Sequence, residues 1–403
     1  MLWLYNIAIQ FYGLIVRCYS LFNQKAALFI EGRVNVFEKI NRQIDPSKKH
    51  IWFHYASLGE FEQGRTVMEK IKLQYPEKDI VITFFSPSGY EIRKNYSVAQ
   101  GVFYLPLDTA ENARRLIDAF NPEIVIFTKY EFWYHYFQKL HEKQIPVILI
   151  SSIFRPDQIF FKWYGLFNKS ILKFVTHFFV QNQESVDLLK AIGLENVTLS
   201  GDTRFDRVFE NSCNPKKIEA IEHFLSGSPA MVAGSTWPAD EDLIVKLIEL
   251  YPDWKFIIAP HEVNESRIGG LRKLIPNSIK FSELDITTSK QTLIIDNIGM
   301  LSSLYSYGRI AYIGGGFGIG IHNTLEAAAF GIPVIFGPNF NKFQEARDLI
   351  AIGAACSIKD GHQLIDAFDN LIQNVDAGSK SKSYVSSKKG ATYEIVNYVT
   401  RYF

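Results

Sequence analysis

The chain opens on an apolar run with no charge over residues 2–16, and the run continues past Arg17 to Phe22. Within it Asn6, Gln10, Gly13, Arg17 and Ser20 recur at spacings of four, three, four and three, which is the period of one helix face. A single polar stripe on a helix of Leu, Ile, Phe, Tyr and Trp predicts a membrane-associating segment over residues 1–24. Such a helix lies in the interface, or crosses obliquely with its stripe against protein. The alternative is a helix packed on the soluble body. The run is marginal for a span, which needs about 20 apolar residues, and it lacks the basic start and small-residue cleavage site of a secretory signal. Arg17, Lys25 and Arg33 place the remainder on the cytoplasmic side of a membrane.

From residue 50 the pattern changes to short apolar runs separated by helix-length segments. Residues 51–56, 80–85, 102–104, 124–127 and 147–150 are β-rich runs of this kind, which predicts a mostly parallel sheet with helices on both faces. Residues 160–180 (FFKWYGLFNKSILKFVTHFFV) are aromatic with Lys162, Lys169 and Lys173 interleaved, and read either as a lipid-facing surface or as packing within the sheet. Residues 207–228 turn polar and read as a linker. A second alternation follows at 230–233, 255–259, 278–281, 292–295, 310–313 and 334–336, and a final helix is expected from residue 388. The divisions are residues 25–210 for a first Rossmann-like domain and 211–403 for a second. Two such domains facing a central cleft describe the glycosyltransferase B-type α/β architecture, which also serves epimerases and phosphorylases.

In sheets of this kind ligands bind off the carboxyl ends of strands, so the residues after each run carry the chemistry. Ser57 and Glu60 follow the first run, where they read either as a capping box or as a helix start holding a general base. Glu131 follows the fourth run and Arg155 the fifth. In the second half Ser235 and Thr236, Pro260 and His261, and Gly299 follow successive runs. The last of these ends opens a loop with Gly314, Gly315, Gly316, Gly318 and Gly320, after which His322 and Asn323 begin a helix. Glycines there let backbone N–H groups approach a phosphate at a helix N-terminus. Glu326, one turn past Asn323, is placed to accept both hydroxyls of a ribose.

Composition narrows the partners. Lys+Arg 43 against Asp+Glu 42 leaves a net charge of +1, which argues against general nucleic-acid binding. Cys18, Cys213 and Cys356 are too far apart for a zinc spacing or a disulfide framework. No acidic or histidine cluster of the metal-binding kind falls at the strand ends, so neither a metal nor a cofactor is expected.

The ordered set of motifs resembles the Kdo (3-deoxy-D-manno-octulosonate) transferases of lipopolysaccharide assembly. Trp52 to Glu60 resembles the family's W-x-H-x-x-S-x-G-E, and Glu131-Phe132-Trp133 its E-L-W. Gly201 to Asp206 resembles G-N-x-K-F-D, Ala233 to Thr236 resembles A-x-S-T, and Asp296 to Leu301 resembles D-T-M-G-E-L. Gly314 to Pro338 resembles G-G-S, G-G-H-N-P-L-E-P-A and G-x-P-V-x-x-G-P. The chain departs from these patterns at Lys129, at Met300, at Pro260-His261-Glu262 (where the family has P-R-H) and at Ile321.

The resemblance implies a CMP-Kdo donor, a lipid A precursor acceptor and a site at the cytoplasmic face of the bacterial inner membrane. It implies Glu60 as catalytic base and Glu131 as a second functional acid. The nucleotide would be held by Ser235, Thr236, Pro260, His261, Gly299, Asn323 and Glu326. Arg155 or Arg204 would pair the donor's carboxylate or contact the acceptor. The competing reading is a B-type enzyme acting on a UDP-sugar, an epimerase or a hexosaminyl transferase.

Overall fold

The computed structural model describes residues 1–285 and 288–403. The chain forms two compact units, residues 1–206 with 389–403, and residues 207–388.

The first unit begins with three helices: α1 (Leu2–Tyr19), α2 (Gln24–Glu31) and α3 (Val36–Gln43). A seven-stranded sheet follows, made of β1 (His50–Tyr55), β2 (Asp79–Phe84), β3 (Gly101–Tyr104), β4 (Pro122–Thr128), β5 (Val147–Ser152), β6 (His177–Val180) and β7 (Val197–Leu199). All pairings are parallel and the order is β3-β2-β1-β4-β5-β6-β7. Every residue of β1 is buried. That is why it reads as a continuous apolar run rather than an alternating one, both faces being covered by helices. Its two histidines are paired: His50 Nδ1 lies 2.7 Å from the Phe120 carbonyl, and His54 is engaged as described below.

The second unit repeats the plan with β8 (Ala230–Thr236), β9 (Lys255–Pro260), β10 (Ser278–Lys280), β11 (Thr292–Ile294), β12 (Ile310–Ile313), β13 (Val334–Phe336) and β14 (Ala355–Ser357). These too are all parallel, in the order β10-β11-β9-β8-β12-β13-β14. In each sheet the order reverses direction once, between β1 and β4 and between β8 and β12. Those reversals are the topological switch points at which open α/β sheets bind ligands.

Four readings of the sequence are corrected. The stretch 160–180 is split: Phe178, Phe179 and Val180 are buried in β6, whereas Trp163, Tyr164 and Leu166 are exposed. The polar segment 207–228 is largely helical, Thr203–Cys213 and Glu219–Leu225, its polar residues being the outer faces of short helices. The last helix, Ala391–Val399, belongs to the first unit rather than the second. Ile395, Val396 and Val399 join the core beside β1 and β2, and the Asp206 carboxylate accepts the N–H groups of Gly390 at 2.7 Å and Thr392 at 3.0 Å, capping the helix start. Finally, among the described residues no helix is long and apolar enough to cross a membrane, so an oblique span by α1 is not supported.

Instead α1 turns its polar stripe inward. Asn6 Oδ1 lies 2.6 Å from His135 Nε2, the Tyr5 hydroxyl donates to Asp108, and Gly13 sits against Leu107 where a side chain would collide. No residue of α1 is buried. Trp3, Leu4, Ile7, Phe11, Leu14 and Ile15 are all exposed, so the helix presents its apolar face to solvent.

Candidate active site

In the first unit the loaded strand ends flank the switch point. Helix α4 (Leu58–Gln74) follows β1 and carries Glu60 in its first turn. Ser57 occupies the cap position but makes no side-chain bond to the helix backbone; its hydroxyl donates to the Glu60 carboxylate. The capping box allowed by the sequence is absent, and the carboxylate is oriented by a hydroxyl at the sheet edge.

Across the switch point, Lys129 ends β4 in the left-handed region (φ 64°), which a lysine adopts only when its surroundings impose it. Two residues on, Glu131 Oε2 accepts the Trp133 indole N–H at 2.7 Å and faces His54 Nε2 at 3.3 Å. Behind His54 the Thr83 hydroxyl accepts Trp52 Nε1–H at 2.8 Å and lies 2.8 Å from His54 Nδ1. The Glu131 carboxylate can only accept, so the neutral histidine carries its proton on Nε2, and Nδ1 accepts from the Thr83 hydroxyl. A buried chain, Trp52–Thr83–His54, thus fixes the second acid.

Tyr130 precedes Glu131. Burial raises the pKa of its phenol, and it feels the charges of Arg155, Asp202 and Glu60. Arg155 is exposed. Arg204 differs: its Nε donates to Asp202 at 2.8 Å, and Asp202 is held in turn by Gln63 at 3.1 Å. Ser151, also in the left-handed region (φ 51°), lies 2.9 Å from the Thr203 hydroxyl and ties β5 to this group.

In the second unit the switch point lies between the end of β8 and the glycine loop after β12. Ser235 has φ 55°, and a Cβ on Gly314 would lie 2.3 Å from the Ser235 carbonyl oxygen. Gly316 and Gly337 touch backbone to backbone in the same way. At these positions the glycines are needed because no side chain fits between the loops.

Three residues absent from the sequence-based site organise this edge. The buried Asp240 carboxylate accepts Trp237 N–H at 2.9 Å, Gly315 N–H at 3.0 Å and the Tyr312 hydroxyl at 2.9 Å, fastening the glycine loop to β8. The buried Thr236 hydroxyl donates to Glu241 at 2.7 Å, and Glu241 pairs with Arg267. The third, Trp237, begins a stack of rings: His261 packs on Trp237 with centroids 4.8 Å apart and on His322 at 4.5 Å. Trp237 Nε1 donates to His322 Nε2 at 3.3 Å. Burial, then His261, pushes the His322 pKa down and so favours its neutral form.

These rings line a cavity of about 590 Å³ together with Asp240, Gly315 and Phe317. Of the nucleotide-site residues read from the sequence, His261 lines it, whereas Ser235, Thr236, Pro260, Gly299, Asn323 and Glu326 do not. Asn323 Nδ2 donates to Glu326 at 3.1 Å, and Asn323 Oδ1 accepts Leu325 N–H at 3.1 Å, so these two act as a unit at the helix start. Glu326 also lies near the buried Tyr305, whose hydroxyl fills the space beside Gly234. Gly299 has φ 95° in an open bend.

The fold is shared with UDP-GlcNAc 2-epimerase from Neisseria meningitidis, solved with UDP-GlcNAc. The TM-score is 0.59 at 15% identity, over 87% of this chain and all of that one (100%). That likeness defines the class by fold: two parallel-sheet α/β domains of the B-type kind. Residues 30–207 match the model of the 3-deoxy-D-manno-octulosonic-acid transferase (kdotransferase) family, ending where the first unit ends. The chain is 26% identical over 399 residues to the 3-deoxy-D-manno-octulosonic acid transferase of Rickettsia prowazekii, covering 94% of this chain and 84% of the relative. It is 27% identical over 333 residues to that of Aquifex aeolicus, covering 81% and 86%. Residues 30–207 thus carry a Kdo transferase family domain, and the relatives that match most of the chain are Kdo transferases, which are glycosyltransferases.

Proposed function

We propose that the protein transfers Kdo from CMP-Kdo to a lipid A precursor of the lipid IVA type at the cytoplasmic face of the inner membrane. The observation that carries this reading is the state of Glu60. Its carboxylate is held by the Ser57 hydroxyl at the switch point of the first sheet and does not serve the helix backbone. A sugar hydroxyl is a poor nucleophile near neutral pH and needs a base within hydrogen-bond reach. Glu60 takes the acceptor's proton as its oxygen bonds to the anomeric carbon of Kdo. The bond from that carbon to the phosphate oxygen breaks, and the electron pair leaves with CMP. Glu131, locked by Trp133 and His54, supplies a fixed second acid.

In the second unit the glycine loop offers backbone N–H groups to the departing phosphate, and Asn323 with Glu326 holds its ribose end. His261 and His322 stand beside that loop, where their ring N–H groups can reach a phosphate. Arg155, exposed beside Tyr130, pairs the carboxylate of the donor sugar, since Arg204 is already paired to Asp202.

The outward apolar face of α1 supports docking on the membrane that holds the acceptor. The Tyr5 ring lies 5.5 Å from Phe167, which joins that face to the exposed Trp163, Tyr164 and Leu166. The test is incubation with CMP-Kdo and tetra-acylated lipid A precursor, followed by mass spectrometry of the lipid. Addition of Kdo is expected. Turnover of a UDP-sugar, with no Kdo added, would overturn the reading in favour of the epimerase-like alternative.

A further inference from the structure

Beneath α1 the first unit has an open cavity of about 750 Å³, walled by α1, by α2 with α3, and by residues 106–115. Three arginines line it: Arg17, Arg33 and Arg115. Arg33 is the most enclosed. Its guanidinium lies 3.5 Å over the Phe29 ring and donates to the carbonyls of Leu105 at 2.8 Å, Phe29 at 2.9 Å and Phe85 at 2.7 Å. Those bonds use three of its five N–H groups, and no carboxylate balances the charge. Burial accordingly pushes its pKa down to about 10.

Arg115 stacks 4.0 Å over Phe37, and among the described residues neither it nor Arg17 pairs with an acid. Glu38, the acid in the cavity wall, pairs with none of the three. A buried cation without a counter-charge is unfavourable unless something anionic joins it. Arginine's planar fork matches phosphate oxygens.

The remaining wall is mixed, with Gln10, Asn35 and Asn112 set among apolar residues, and on its rim Leu14 and Val34 are each 55% exposed. Leu14 belongs to the same outward face as Phe11 and Ile15. The cavity therefore sets the half-buried Arg33 and the exposed Arg17 and Arg115 beside the apolar surface, which is the polarity of an amphiphile. A soluble anion would leave the apolar mouth uncovered, and a neutral lipid would leave the arginines unbalanced.

We infer that this cavity is a seat for one anionic glycerophospholipid, with the phosphate among Arg17, Arg33 and Arg115 and the acyl chains leaving past Leu14 and Val34 along α1. None of the residues assigned to sugar transfer lines this cavity, so the seat stands whichever sugar is transferred. A bound lipid completes the packing under α1, so the helix docks firmly only on a membrane that supplies one.

The test uses the full-length protein in a neutral maltoside, titrated with dihexanoylphosphatidylglycerol below its micelle concentration and followed by calorimetry. Saturable binding of one lipid per chain is expected. Arg17→Gln with Arg115→Gln should weaken it about tenfold to a hundredfold, the loss of charge-assisted hydrogen bonds. Val34→Trp, which fills the mouth from an exposed position, should abolish it. Lys70→Gln with Lys190→Gln, removing exposed charge elsewhere on the first unit, should leave it unchanged. Circular dichroism checks that each variant folds; should the arginine pair fail to fold, Val34→Trp decides alone. Equal binding of dihexanoylphosphatidylcholine, equal binding of inorganic phosphate, or an equal loss in the lysine pair would each overturn the inference, as would the absence of saturable binding.

Discussion

At the scale of single residues, Glu60 carries the mechanism. A glutamine there keeps an acceptor for the Ser57 hydroxyl and takes nothing from the helix backbone, because no capping bond exists to lose. Glu60→Gln should therefore melt within a few degrees of the parent and bind CMP normally, while transfer falls about a hundred- to ten-thousandfold, the range for loss of a general base. Turnover within about threefold of the parent, well short of that range, would pass the role to Glu131. Glu326→Ala should weaken CMP binding by about 1.5–3 kcal/mol, because it removes a charged acceptor; calorimetry that finds the affinity unchanged would remove the ribose assignment. The acids at strand ends were legible because position after an apolar run is a sequence property. Asp240, Glu241 and Trp237 were not, because their work is to fasten one loop to another. The available signal was an Asp-Glu pair one turn into the helix after β8, where acids on a buried face need a reason. Nor could the sequence show that His261 stacks between Trp237 and His322, since that depends on three separate strand ends converging.

At the scale of elements, runs that are buried on both faces were readable and short or composite ones were not. The strands β1 to β5 and β8 to β13 each stand out from polar flanks. Short and only partly buried, β7 and β14 give too little apolar pattern, and β6 was hidden inside an aromatic stretch whose Trp163, Tyr164 and Leu166 face solvent. The C-terminal helix packs on that hidden strand: Tyr398 lies 4.3 Å from the His177 ring and 5.3 Å from Phe179, and His177 Nε2 lies 2.8 Å from the Thr198 hydroxyl. Burial, with a smaller contribution from Arg401, lowers the His177 pKa from 6.5 to about 4. Between those values the unfolded chain takes up a proton that the folded chain refuses, so this group destabilises the fold as pH drops through that window and has no effect above it. The melting temperature of His177→Gln, which retains a partner for Thr198, should fall less between pH 7 and pH 4.5 than that of the parent. Parallel curves would show that the ring does not titrate against the packing of the helix.

At the scale of the whole chain, the feature least expected of a water-soluble fold is the direction in which α1 faces. The periodicity of Asn6, Gln10, Gly13, Arg17 and Ser20 made the stripe legible, but not whether it met water or protein. The structure turns Asn6 and Gly13 toward the body and leaves Trp3, Ile7 and Phe11 at 63%, 55% and 60% exposure. A contiguous apolar surface of this kind marks a docking face. Arg17 and Lys25 on the same stretch, with Lys162 beside Trp163, suit an anionic leaflet. Removing α1 altogether would test this poorly, because it would also take the Tyr5 hydroxyl from Asp108 and Asn6 from His135, close to Glu131. Trp3→Ser, Ile7→Ser and Phe11→Ser together remove only the outward face. The triple variant should move from the membrane fraction to the soluble fraction, melt as the parent does, and retain transfer to acceptor dispersed in detergent. Retention in the membrane would move the contact to Trp163, Tyr164 and Leu166, whereas a lowered melting temperature would show that the face packs on protein rather than on lipid.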